Sequence, residues 1–236
     1  MNIAWILLYT LITHGLEIVI FFKVDGIGIT FERIFKAFLF KILLAFVFLM
    51  IEYMVGYNYL FYFMEPLYGI GLSFLLLRGL PKKLLLFYGL FPMILVNLFH
   101  RGVSYFVLPF LGQGQVYDDY SFAWLCIIIF NFFISLVFLK WLDYDFTNLR
   151  REILDKGFQQ SLTTINWIMG AYYLVMQSLS FFEYEQGIQS TTVRHLILVF
   201  YLLFFMGIIK KLDTYLKDKL HERLDQEQAL RYRDME

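Results

Sequence analysis

Leu196-Ile197-Leu198-Val199-Phe200-Tyr201-Leu202-Leu203-Phe204-Phe205-Met206-Gly207-Ile208-Ile209 is a run made for lipid, and Lys210-Lys211 changes its solvent without breaking it. After Gly207 the chain has no glycine or proline. Asp213, Leu216, Lys219, Leu220, Glu222, Arg223, Leu224, Gln226, Glu227 and Ala229 favour or tolerate a helix. The stretch 191–236 is therefore expected to cross a membrane and run on as a rod. About 27 residues at about 1.5 Å each give the rod a reach of roughly 40 Å. Leu212, Leu216, Leu220 and Leu224 recur every fourth residue and form one drifting apolar stripe. The expected partner is the same stripe of a second copy, in a parallel coil that makes a homodimer. The alternative is an amphipathic helix lying on the inner leaflet. Asp213–Lys217 and Glu227–Arg231 add i,i+4 support, and a four-residue beat departs from strict heptads, so the coil is expected to be adjustable. The rod ends uncapped at Arg233-Asp234-Met235-Glu236, as expected of a chain cut from a longer one.

The rest of the chain has the same character. It is 60% hydrophobic and 17% charged, against about 45–50% and about 25% in soluble domains. Repeated apolar runs of span length predict an all-α, polytopic membrane bundle, and the period-2 alternation of a β-barrel is missing. Seven spans are expected, at 3–22, 38–55, 60–77, 84–100, 122–142, 162–182 and 191–209. The first lacks a basic leader and a cleavage site, so it is read as a retained span. Lys23, Arg33, Lys36, Arg78, Lys82, Lys83, Lys140, Arg150, Arg151, Lys156, Lys210 and Lys211 fall in one set of connections; the other set holds Arg101 and Arg194. The basic set is expected in the cytoplasm, which puts the N-terminus outside and the rod inside a bacterial cytoplasmic membrane.

The outer face has the opposite sign. Glu52, Glu65, Asp118, Asp119, Glu183 and Glu185 lie at or near it, and its longest loop, 102–121, mixes Tyr105, Phe106, Phe110, Tyr117 and Tyr120 with Pro109 and Gly112-Gln113-Gly114. This surface suits a cationic amphipathic ligand. With His100, Arg101, Arg194 and His195, those acids form the candidate ligand-binding set. Arg194 and His195 are expected to pair with Glu183 or Glu185, so that a ligand displacing the pair would pull on the rod. The plainer reading is that acids collect outside because bases are kept inside.

Within the bilayer, ionisable groups are costly and mark candidate sites. His14 and Glu17 share a helix face. Glu65 precedes Pro66, where a kink is expected to free backbone carbonyls. Asn97, Asn131, Asn166 and Gln177 are expected to join helices by hydrogen bonds, and Lys41 to snorkel to the inner surface. Residues 145–157 are expected to lie on the headgroups as a short helix, with Phe146, Leu149, Ile153 and Leu154 facing lipid, Arg150, Arg151 and Lys156 facing water, and Gly157 ending it. Residues 26–37 show the same pattern more weakly. Gly26-Ile27-Gly28 and Gly69-Ile70-Gly71 read as ordinary membrane-protein glycines.

Catalytic motifs are missing. Cys126 sits in Ala123-Trp124-Leu125-Cys126-Ile127-Ile128-Ile129 with no histidine near it in sequence, which disfavours a thiolate nucleophile. A lone cysteine excludes an intrachain disulfide. There is no H-E-x-x-H pair, phosphate-binding glycine loop or G-x-S-x-G elbow, and no paired acids of an intramembrane CAAX-type protease. No metal, cofactor or nucleic-acid partner is expected of this chain; lipid is.

Aromatic-rich spans with short loops, feeding an uninterrupted helix from Lys210-Lys211-Leu212-Asp213 to Asp225-Gln226-Glu227-Gln228-Ala229-Leu230-Arg231-Tyr232-Arg233-Asp234-Met235-Glu236, make the chain resemble a family. It resembles the sensor module of Gram-positive peptide-pheromone receptor histidine kinases, of the streptococcal ComD/BlpH and staphylococcal AgrC kind. The resemblance implies a secreted peptide ligand and a helix that continues into dimerisation and phosphotransfer helices. An ATP- and Mg-binding domain and a response regulator would follow. The phosphoacceptor and nucleotide boxes of the family are not in this sequence, and His221 lacks the surroundings of a phosphoacceptor. The chain alone is therefore expected to be inactive as a kinase, being a truncated receptor or a kinase-less relative. The rivals are an AgrB-like membrane peptidase, which needs Cys126, and a small transporter or immunity protein using His14, Glu17 and Glu65.

Overall fold

The computed structural model describes residues 3–56, 63–111, 122–142, 146–152 and 156–186, then 199, 203, 207–208, 210–211, 214–215, 217–219, 221–222, 224–226 and 228; at 3, 4, 6, 123, 124, 141, 142, 148, 151 and 152 and over 100–111 and 176–186 it describes the backbone alone. The fold is all-α, with no strand among the described residues. The helices are α1 (Ile3–Asp25), α2 (Phe31–Val55), α3 (Met64–Leu76), α4 (Lys82–Leu111), α5 (Phe122–Leu142), the one-turn α6 (Leu149–Glu152) and α7 (Lys156–Gln186), with a 3₁₀ turn at Phe146–Asn148 leading into α6. Among the described residues, three stretches are long and apolar enough to cross a membrane: Leu7–Asp25, Phe31–Val55 and Lys82–Phe99. Met64–Leu76 and Leu125–Lys140 are apolar but shorter.

α4 is the hub, packing on α1, α3, α5 and α7. Its apolar window is 67% buried; that of α2 is 17% buried. Phe35, Leu39, Ile42, Phe46, Met50 and Tyr53 of α2 are exposed. An uncovered apolar face of that length fits lipid and not water, so the chain is a membrane-associated protein.

Local chemistry sets the helix ends. α1 stops at Gly26, whose φ is +61°, a left-handed turn that costs other residues about 1–2 kcal/mol. A Cβ there would also sit 2.2 Å from Thr147 Cγ2. Gly26→Ala is accordingly expected to lower stability by at least about 1–2 kcal/mol, and adding Thr147→Ala to recover only the steric part; thermal unfolding of both variants in detergent checks this. Thr30 caps α2, its Oγ1 accepting the Arg33 N–H at 3.4 Å, and Gly56 closes α2 at φ +74° with its N–H donating to Glu52 O at 2.8 Å.

Several expectations need correcting. α2 starts at Phe31, so 26–37 is a five-residue turn followed by span helix rather than an interfacial segment. Pro66 lies in the first turn of α3, where its missing N–H costs no helical bond, so it does not kink the helix. The expected loop 102–121 is helical as far as Leu111. Gly157 belongs to the first turn of α7 and ends nothing.

The segment 146–152 does not lie with its apolar side on headgroups. Phe146 and Leu149 are in the core, with Phe146 5.0 Å from the Phe91 ring. Tyr88 donates its hydroxyl to Phe146 O at 2.6 Å. Arg150 turns inward, donating to the Asp25 carbonyl and lying 5.4 Å from the Tyr88 ring centroid. An amphipathic pattern of this kind had two apolar surfaces to choose from, and protein wins over lipid here. Ile153 and Leu154 are outside the described residues.

Candidate functional site

Glu17 is eight residues before the end of α1 and Lys41 ten residues after the start of α2. A five-residue turn joins those two ends, so at about 1.5 Å per residue both side chains stand roughly 12–15 Å up the bundle. The helix α3 adds Glu65 from its first turn, where the positive end of the helix dipole favours a carboxylate. The three meet. Lys41 Nζ is 2.5 Å from Glu17 Oε2 and 3.5 Å from Glu65 Oε1, and the Lys41 side chain is 4% exposed. The ammonium also lies 4.9 Å from the Tyr68 ring centroid, a cation–π contact. His14, one turn before Glu17, donates through Nδ1 to Glu17 Oε2 at 3.2 Å when that nitrogen carries the proton.

Lys41 therefore does not snorkel. The expected span began at 38, one turn from the lysine, whereas the helix starts at Phe31, ten residues before it. Two carboxylates on neighbouring helices offer it a nearer partner.

Beside this cluster is a cavity of about 280 Å³ among α1, α3, α4 and α5. Its polar lining is Tyr9, Thr13, Glu17, Glu65, Asn97 and Asn131, and its apolar walls include Leu16, Ile20, Ile128 and Phe132. Glu17 and Glu65 thus both contact Lys41 and line the cavity. Asn131 is 3% exposed. Its Nδ2 donates to Val96 O at 3.4 Å, joining α5 to α4, while Oδ1 is buried with no partner. Asn166 ties α7 to α4 by donating to Lys83 O at 2.7 Å. The helix-joining role expected of the amides holds for both.

Of the residues expected to bind ligand, Glu65 joins the cluster, and Glu52 is half-buried on α2 outside it. His100 and Arg101 are on the α4 backbone and Glu183 and Glu185 on that of α7, their side chains outside the described set. Asp118, Asp119, Arg194 and His195 are outside it altogether, as are Leu212, Leu216 and Leu220. Leu224 is helical and 47% exposed. Lys41, Thr13 and Tyr9 were missed; a lysine ten residues into an apolar helix was the available signal. Cys126 is exposed on α5, and no group of three His, Cys, Asp or Glu among the described residues is placed to hold a metal.

Beyond α7 every described position from 199 to 228 is helical. Thr214 Oγ1 donates to Lys210 O at 2.8 Å, across the point where the segment changes solvent. Ile208 is buried in the core, and the Tyr215 ring packs 5.1 Å from Phe158 at the start of α7. Compared with models of protein families, with curated proteins and with solved structures, the chain finds no match.

Proposed function

We propose that this chain is the receptor module of a bacterial cytoplasmic membrane, a dimer of seven-span subunits with the N-terminus outside. It takes a secreted, cationic, amphipathic peptide from the outer side. It passes the resulting movement down its C-terminal helix to a histidine kinase domain and so to a response regulator. The observation that carries this reading is the helical character of the described positions on both sides of Lys210 while Ile208 and Tyr215 stay seated on the bundle. A helix that leaves a bundle in contact with it can report the bundle's state. A phosphotransfer helix in the reading frame beyond Glu236 is the expected genetic observation; a stop codon there would remove the kinase half of the proposal. In a fusion to a kinase domain, Tyr215→Ala is expected to change ligand-free output several-fold while peptide affinity stays within twofold. Unchanged output would cut the mechanical link.

The cluster of Lys41 with Glu17 and Glu65 beside a polar cavity favours a second reading, ion-coupled transport, since intramembrane carboxylates also serve as ion relays. Uptake into vesicles that Glu65→Gln abolishes is the outcome that would choose transport over reception.

A further inference from the structure

We infer that the cavity among α1, α3, α4 and α5 is a binding site for one organic cationic group, a primary ammonium or a guanidinium on an aliphatic stem. The inference rests on the receptor reading only in taking that group to arrive on the ligand.

Charge is the first reason. Glu17 and Glu65 share one lysine, and His14 stands 3.2 Å from Glu17 alone; with that ring neutral the formal charges leave one negative charge uncompensated, and both carboxylates line the cavity. The second reason is independent of charge. Asn131 Oδ1, on a side chain with 3% exposure that lines the same cavity, has no donor. Its amide nitrogen is engaged by Val96 O, which fixes the oxygen as an acceptor in want of an N–H. A buried acceptor without a donor carries a free-energy cost; this one has almost no surface open to the cavity, so a ligand N–H removes that cost only with a small turn of the amide toward it.

The walls narrow the chemistry. Leu16, Ile20, Ile128 and Phe132 suit a carbon stem and offer nothing to a bare inorganic ion. At about 280 Å³ the space is just below the range of roughly 300–1,000 Å³ typical of drug-sized ligands. It takes one side-chain-sized group, not a peptide. It runs along α1 from Ile20 to Tyr9, toward the end that the lysine distribution assigns to the outside. A lysine or arginine of a ligand docked there reaches it stem-last, with its charge at Glu17 and Glu65.

The test uses the full chain in nanodiscs of zwitterionic lipid and follows the thermal midpoint. n-Butylammonium and n-butylguanidinium are expected to raise it saturably, as any ligand of the folded state does. Butyltrimethylammonium, which keeps stem and charge but has no N–H, is expected to fail, as are n-butanol and sodium chloride. Glu65→Gln and Asn131→Leu are each expected to weaken the effect at least tenfold; Asn131→Leu leaves the ion pairs intact and decides the matter if the other variant does not fold. A leucine-rich peptide with one lysine and its norleucine twin separate the sources. A shift from the lysine peptide at lower concentration than the amine assigns the site to a ligand side chain, and a shift from the amine alone assigns it to small amines. Equal shifts from sodium or butyltrimethylammonium, or no shift at all, overturn the inference. Kinase output is not read in this assay, so amine binding without peptide-driven output would sink the receptor reading alone.

Discussion

Lys41→Met is expected to destabilise the bundle by about 3–5 kcal/mol, because it removes one partner of a buried pair and leaves the charges of the others without compensation. Glu17 and Glu65 then face each other across α1 and α3 with His14 as the remaining contact of Glu17. The triple variant Lys41→Met, Glu17→Gln, Glu65→Gln is expected to recover most of the loss, since neutral groups of similar shape escape the desolvation penalty. Equilibrium unfolding in mild detergent measures both. A Lys41→Met loss below about 1 kcal/mol, the range of solvated surface pairs, would mean that the ammonium is not held as described.

The second large effect belongs to the contact of α3 with α4. A Cβ on Gly69 would lie 2.2 Å from Gly89 O, and one on Gly89 2.5 Å from Ile70 Cα. Backbone stands on both sides, so no rotamer change makes room and the helices must part. Gly69→Ala and Gly89→Ala are each expected to cost about 1–3 kcal/mol through overpacking. The damage is expected to reach Glu65, one turn before Gly69, and so to weaken its pairing with Lys41. Gly170 is the control: a Cβ there meets nothing within 4 Å, and Gly170→Ala is expected to be neutral or to gain up to about 1 kcal/mol from helix propensity. Parallel thermal unfolding of the three variants checks the contrast, and equal losses would show that space between α3 and α4 is not what the glycines provide.

These predictions also mark where the sequence was readable. Helices were, because uninterrupted apolar runs leave few alternatives, and each run expected at 3–22, 38–55, 84–100, 122–142 and 162–182 lies inside a helix. The proximity of His14 and Glu17 followed from their spacing, and the bonds of Asn131 and Asn166 from the cost of a lone amide among apolar side chains. Lys41 was not readable from its own helix, because its partners come from α1 and α3 and no periodicity records which helices are neighbours. The same holds for Gly69 and Gly89. A small residue announces that something approaches closely and does not say what. Phe146 and Arg150 failed for a related reason, since an amphipathic turn has the same pattern against lipid as against protein.

The exposure of α2 has a further consequence. Glu32, Arg33 and Lys36 occupy its first two turns, so its apolar stretch is 37–55, about 28 Å long and close to the roughly 30 Å of a typical hydrocarbon layer. A thinner layer is expected to tilt a helix so little held by protein, at a fraction of a kcal/mol per Å of mismatch. Lys41 is among its few ties to the bundle, so acyl-chain length is expected to reach Glu17 and Glu65 through the lysine they share.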